Sequence, residues 1–71
     1  MHSAKLTTAR NVGIKLRSLR KGRKLKQREV AEGLGIERST YAYYETGKHN
    51  VPIDTLLKIA VYYDVSVNEI L

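Results

Sequence analysis

Cysteine, tryptophan and phenylalanine are absent from the 71 residues, and proline occurs once. Without cysteine there is no disulfide framework, no thiol chemistry and no thiolate to hold zinc. The two histidines, His2 and His49, are separated by most of the chain and do not make a metal site. No nucleophile stands at a recognisable spacing from a base, and no glycine-rich phosphate loop is present, so neither an enzyme nor a resident cofactor is expected. Long apolar runs are missing too. The most apolar stretch, 56–63, is well short of the ~20 residues a membrane-spanning helix needs, and Lys58 interrupts it. Residues 1–8 lack the apolar core of a secretory signal. The expected setting is therefore cytoplasmic, without a membrane partner.

Acidic residues are missing from the first 28 positions, which hold ten bases, whereas 29–71 hold three bases and seven acids. The halves are thus +10 and −4, summing to the net charge of +6. Lysine and arginine also serve solubility on helix surfaces. Even so, a positive field this one-sided is the footprint of a polyanionic partner. A single short domain is expected, with marginal stability, because a chain this size buries only about 60% of its unfolded surface.

The apolar residues recur at helical spacing throughout. Val12, Leu16 and Leu19 share one face of a helix over roughly 11–22, with Asn11 as its N-cap and Gly22 near its end. Helices follow at roughly 27–34, 38–45 and 53–63, and Ser66 with Glu69 forms a capping box for a last short helix reaching Leu71. Leu56, Leu57, Ile59, Ala60 and Tyr63 make the fourth helix look largely buried. The expectation is an all-α domain of five short helices over 11–71, with a flexible arm over 1–10.

The second and third helices, joined across Gly35, form a helix-turn-helix pattern at roughly 27–45. At ~100° per residue, with Arg38 at zero, Ala42, Ser39 and Tyr43 fall near ~40°, ~100° and ~140°; Tyr44, Tyr41 and Glu45 fall between ~240° and ~340°. One face is rich in donors around a small centre, and the other carries rings for packing. A helix that enters a DNA major groove needs this division. Arg38 suits a bidentate contact to guanine, or failing that a phosphate.

Over 11–71 the chain resembles the phage-repressor-like (Cro-like, Xre-type) helix-turn-helix family, whose fold is lambda-repressor-like. The resemblance lies in Leu-Arg-Ser-Leu-Arg (16–20), in Gln27 with Gly33-Leu34-Gly35, in Tyr44-Glu45-Thr46-Gly47-Lys48, in 54–60 and in 65–69. It implies sequence-specific binding to double-stranded DNA as a homodimer, with Arg38, Ser39 and Tyr43 at base-reading positions. It also implies backbone contacts from Gln27, beside the basic Arg28, and from Lys48 and Asn50, and a structural salt bridge between Arg20 and Glu45. A transcriptional repressor on a palindromic operator is the expected function. An antitoxin or restriction-system controller with a protein partner, and a basic interaction adaptor, are the alternatives. The sequence departs from the family at Lys26 and Glu37, where capping Ser or Thr is usual, and at Ile14, which marks either a partner surface or a lone exposed side chain. His49 is expected to be solvated.

Overall fold

The computed structural model describes residues 8–71. Its helices are α1 (Ala9–Gly22), α2 (Gln27–Leu34), α3 (Arg38–Thr46) and α4 (Ile53–Tyr63), followed by one 3₁₀ turn, Val67–Glu69. The expected fifth helix is therefore only this turn, too short to complete an α-helical ladder. The expected capping box is there: the Glu69 carboxylate accepts from the Ser66 N–H at 3.1 Å, and the Ser66 hydroxyl donates to the same carboxylate.

The chain enters α1 earlier than its apolar pattern implies. The N-cap is Thr8, whose hydroxyl accepts from the Asn11 N–H at 3.1 Å, so Asn11 lies inside the helix it was expected to cap. Ala9 and Arg10 belong to this first turn, not to a flexible arm; the rest of that expected arm, 1–7, lies outside the described residues. At the other end, Gly22 completes α1 and the left-handed residue is Lys24, at φ 58°. Lys26 cannot accept a hydrogen bond, but Glu29 accepts from the Lys26 N–H at 2.7 Å, so α2 keeps half of a capping box. Glu37 gives α3 no side-chain cap.

Gly35, at φ 73°, turns α2 into α3 in the left-handed region that side chains resist. Its N–H and that of Ile36 close onto Glu32 and Ala31 carbonyls. The core gathers Leu16 of α1, Val30, Ala31 and Leu34 of α2, Tyr41 and Tyr44 of α3, Leu56, Ile59, Ala60 and Tyr63 of α4, and Ile70 behind the last turn. Ile70 seals the bottom of this core although it lies outside any regular helix. The structure corrects one expectation about α4: only one side of it is buried, and Ile53, Leu57 and Val61 are exposed.

At Gly13, α1 lies directly on the backbone of α3. Gly13 is buried where a Cβ would stand 2.3 Å from the Glu45 carbonyl oxygen and 2.5 Å from that of Tyr44. Both obstacles are backbone, so no rotamer change relieves the clash. Gly13→Ala is expected to destabilise the domain by about 3 kcal/mol, the top of the overpacking range, despite alanine's better helix propensity. Thermal melting checks this, with an expected drop of roughly 10 °C or more in Tm.

Candidate nucleic-acid interface

The third helix divides its residues as the helical arithmetic implies. Tyr41, Tyr44 and Glu45 are buried, while Arg38, Ser39 and Tyr43 are exposed. Glu45 is the buried charge among these, with its side chain only 1% exposed. Arg20 reaches it from α1 as a two-pronged fork, Nε to Oε2 at 2.7 Å and Nη2 to Oε1 at 3.0 Å. The remaining prong, Nη1, donates to the Leu25 carbonyl at 2.9 Å and so also holds the loop before α2. The Gln27 amide nitrogen donates to Glu45 Oε1 at 3.2 Å, and the Tyr41 hydroxyl bonds to the same carboxylate.

Burial alone would push the Glu45 carboxyl up, but hydrogen bonds from Arg20, Gln27 and Tyr41 together hold it below the ordinary carboxylate range. The hydrogen bond to Glu45 raises Arg20 in turn, against its own desolvation. Beneath the pair, the Tyr41 and Tyr63 hydroxyls meet at 2.7 Å, and burial raises both phenols.

This buried network reaches the surface. The Gln27 side-chain oxygen accepts from Arg38 Nη1 at 3.3 Å, so one amide links buried Glu45 to exposed Arg38. Gln27, Arg28 and Arg38 line one concavity together with Arg20 and Lys26. Lys26 is absent from the residues that sequence reasoning selected; its place directly before Gln27 was the available signal. A second cluster forms where the loop after α3 folds back. Lys48 Nζ lies 4.8 Å from the centre of the Tyr43 ring, and His49 meets the same ring edge-on at 4.8 Å. His49 is thus a partner of Tyr43 as well as an exposed residue, and no sequence signal announced that. Ser39 and Asn50 are exposed and belong to neither cluster.

The structure also sorts the bases of the first half. Arg23 lies 5.2 Å over the Tyr63 ring and donates to the Tyr63 carbonyl, closing the end of α4. Lys15 donates to the Leu71 carbonyl. With Arg20 turned inward, these three serve the fold, whereas Arg17, Lys21, Lys24, Lys26 and Arg28 remain exposed.

A family model described as Helix-turn-helix (HTH_3) matches residues 16–70. A Bacillus subtilis (strain 168) protein, the uncharacterized HTH-type transcriptional regulator YobD, is 46% identical over 57 residues, covering 80% of this chain and 51% of that protein. The cryptic phage CTXphi transcriptional repressor RstR of Vibrio cholerae is 41% identical over 56 residues, covering 79% and 50%. The chain thus spans about half the length of these curated relatives. Among solved structures, the restriction-modification controller protein C.AhdI from Aeromonas hydrophila superposes with a TM-score of 0.84 at 32% identity, over 89% of this chain and 96% of that one. The DNA-binding domain of BldD gives a TM-score of 0.79 at 28% identity, over 93% and 99%.

Removing one partner of the buried pair strands the other charge. Glu45→Ala or Arg20→Ala is expected to cost about 3–5 kcal/mol, and joint replacement by apolar residues much less than the sum. Chemical denaturation of the four proteins checks this. Because the folded Glu45 carboxyl lies below its unfolded value of about 4.3, its contribution is complete above that pH. It is lost as the pH falls through the folded value. Glu45→Gln should flatten this acid limb.

Proposed function

The chain belongs to the helix-turn-helix family whose model it matches, and from that premise we propose that it is a sequence-specific double-stranded DNA-binding transcriptional regulator. It acts as a repressor: a dimer lays two copies of α3 in successive major grooves of a palindromic operator and occludes the promoter, within the cytoplasm. The observation that carries this reading is the exposed edge of α3, where Arg38 stands braced by Gln27 against a buried carboxylate. A base-reading arginine needs that bracing, since holding the guanidinium in place beforehand lowers the cost of fixing it on a guanine.

In this reading Arg38, Ser39 and Tyr43 read base edges, with the small, half-buried Ala42 allowing close approach. Gln27, Arg28, Lys48 and Asn50 grip the backbone, joined by Lys26. No catalytic step and no cofactor enter the mechanism. The likeness to C.AhdI favours a controller of a restriction system as the second reading; both act by binding DNA. An antitoxin would add a protein partner to the same DNA chemistry. A basic adaptor would instead bind without regard to DNA sequence.

Selection of bound duplexes from a random pool tests the proposal, which requires an enriched motif with two half-sites about 34 Å apart. Arg38→Ala should flatten one symmetric pair of positions and cost about 1–3 kcal/mol on the selected site, with the fold intact. Gln27→Ala should weaken the same positions less. Equal enrichment of all sequences would refute base reading.

The backbone grip has its own signature. The log of the binding constant should fall with log salt at about −0.9 per phosphate neutralised. Lys48→Ala should make that slope shallower by about one and weaken every sequence alike. A titration at several salt concentrations reads both quantities.

A further inference from the structure

The loop after α3 folds around one exposed side chain of that helix. Gly47 ends α3 at φ 78°, and a Cβ there would stand 2.7 Å from the Arg10 Cα of α1. The turn is therefore held both by its own left-handed backbone and by the first turn of α1. Beyond it the chain comes back onto Tyr43. The Lys48 and His49 N–H groups donate to the Tyr43 carbonyl at 3.0 and 3.3 Å, and the Thr46 hydroxyl donates to the same oxygen at 3.2 Å. The side chains follow the main chain. Lys48 Nζ lies 4.8 Å from the centre of the Tyr43 ring. The His49 ring meets it at 4.8 Å and 67°, an edge-to-face geometry that aromatic pairs favour. Tyr43 still keeps 37% of its surface in water.

We infer that His49 is a positioning residue for base reading: it holds the Tyr43 ring in one orientation before DNA arrives, and so sharpens the preference at the base pair Tyr43 meets. The inference rests on the reading of Tyr43 as a base-reading residue and adds to it the residue that fixes its ring. An exposed ring is otherwise spread over several rotamers, and that freedom is lost on binding. A ring already held has less to lose.

Of the two neighbours, only His49 can keep this role on DNA. The Lys48 ammonium ends a flexible four-carbon stem. A charge-assisted hydrogen bond to phosphate is stronger than an exposed contact with a ring face, so the backbone grip draws Lys48 away. His49 has no such freedom, because its ring is one carbon from a main chain tied to the Tyr43 carbonyl.

Selection from a random duplex pool tests this with Tyr43→Ala, His49→Ala and His49→Phe beside the wild type. Tyr43→Ala should flatten one symmetric pair of positions, different from the pair lost in Arg38→Ala. His49→Ala should flatten the Tyr43 pair and weaken binding to the selected site about two- to tenfold, the range of one aromatic pair. Its melting and salt slope should not change, since neither ring belongs to the core. His49→Phe keeps the ring edge and should restore the preference. Added to Tyr43→Ala, His49→Ala should cost less than about twofold more, because the ring it served is gone. An equal loss on every duplex with a shallower salt slope would make His49 a phosphate contact and overturn the inference, as would failure of phenylalanine to restore the preference. If Tyr43→Ala flattens no position while Arg38→Ala does, the inference falls and the DNA-binding reading stands. If the wild type enriches no motif at all, both fall.

Discussion

The Glu45 carboxylate is buried at the junction of α1, α2 and α3, and burying a charge is costly unless every oxygen finds a donor. That demand explains the placement of its neighbours. Arg20 must come from the second half of α1 with its fork aimed inward; Gln27 must open α2; Tyr41 must lie one turn earlier on α3. Because each donor comes from a different place in the fold, satisfying the carboxylate also sets the three helices against one another. Arg20 then uses its last prong to fix the loop at Leu25. A purely apolar contact would bind these helices as well, but it would not specify the rotation of α3 about its own axis. Here that rotation decides which residues face out.

The close approach at Gly13 works in the same direction. With no side chain, α1 settles directly on the carbonyls of Tyr44 and Glu45. The ion pair and this backbone contact act on the same turn of α3, one from the side chain and one from the main chain. The outer edge of α3, at Arg38 and Ser39, therefore belongs to a helix anchored at its other end. That arrangement leaves these two side chains exposed while Tyr41, in the same turn, stays in the core.

The basic half of the chain proves to have two uses. Arg20, Arg23 and Lys15 lie within a run that reads as uniformly cationic, yet each is turned onto a carboxylate, a ring or a carbonyl of the protein. Arginine suits such positions because its planar fork satisfies several acceptors at once and its stem packs against apolar neighbours. The positive field at the surface comes from the bases left over, on α1, around α2 and at Arg38 and Lys48. Charge counting overstates how many of these bases remain exposed to solvent.

What the sequence determined by itself is the local order. Period, glycine placement and the acid-free first half are enough for four α-helices at nearly their observed limits, for the helix-turn-helix at 27–45, and for the inward rings of Tyr41, Tyr44 and Tyr63. Those features depend on neighbours within a few residues, where geometry is set by the backbone. Resemblance to a family added the pairing of Arg20 with Glu45, which spacing alone does not contain. Only the tertiary structure decided which side of α4 is core, because Leu57 and Leu56 read alike until the packed core buries Leu56 and leaves Leu57 exposed. It also decided that Thr8 begins α1, that the last helix shrinks to one turn, that Gln27 joins Glu45 to Arg38, and that His49 folds onto Tyr43. Each of these rests on contacts between residues distant in sequence or on a side-chain direction, and neither is written in composition or period.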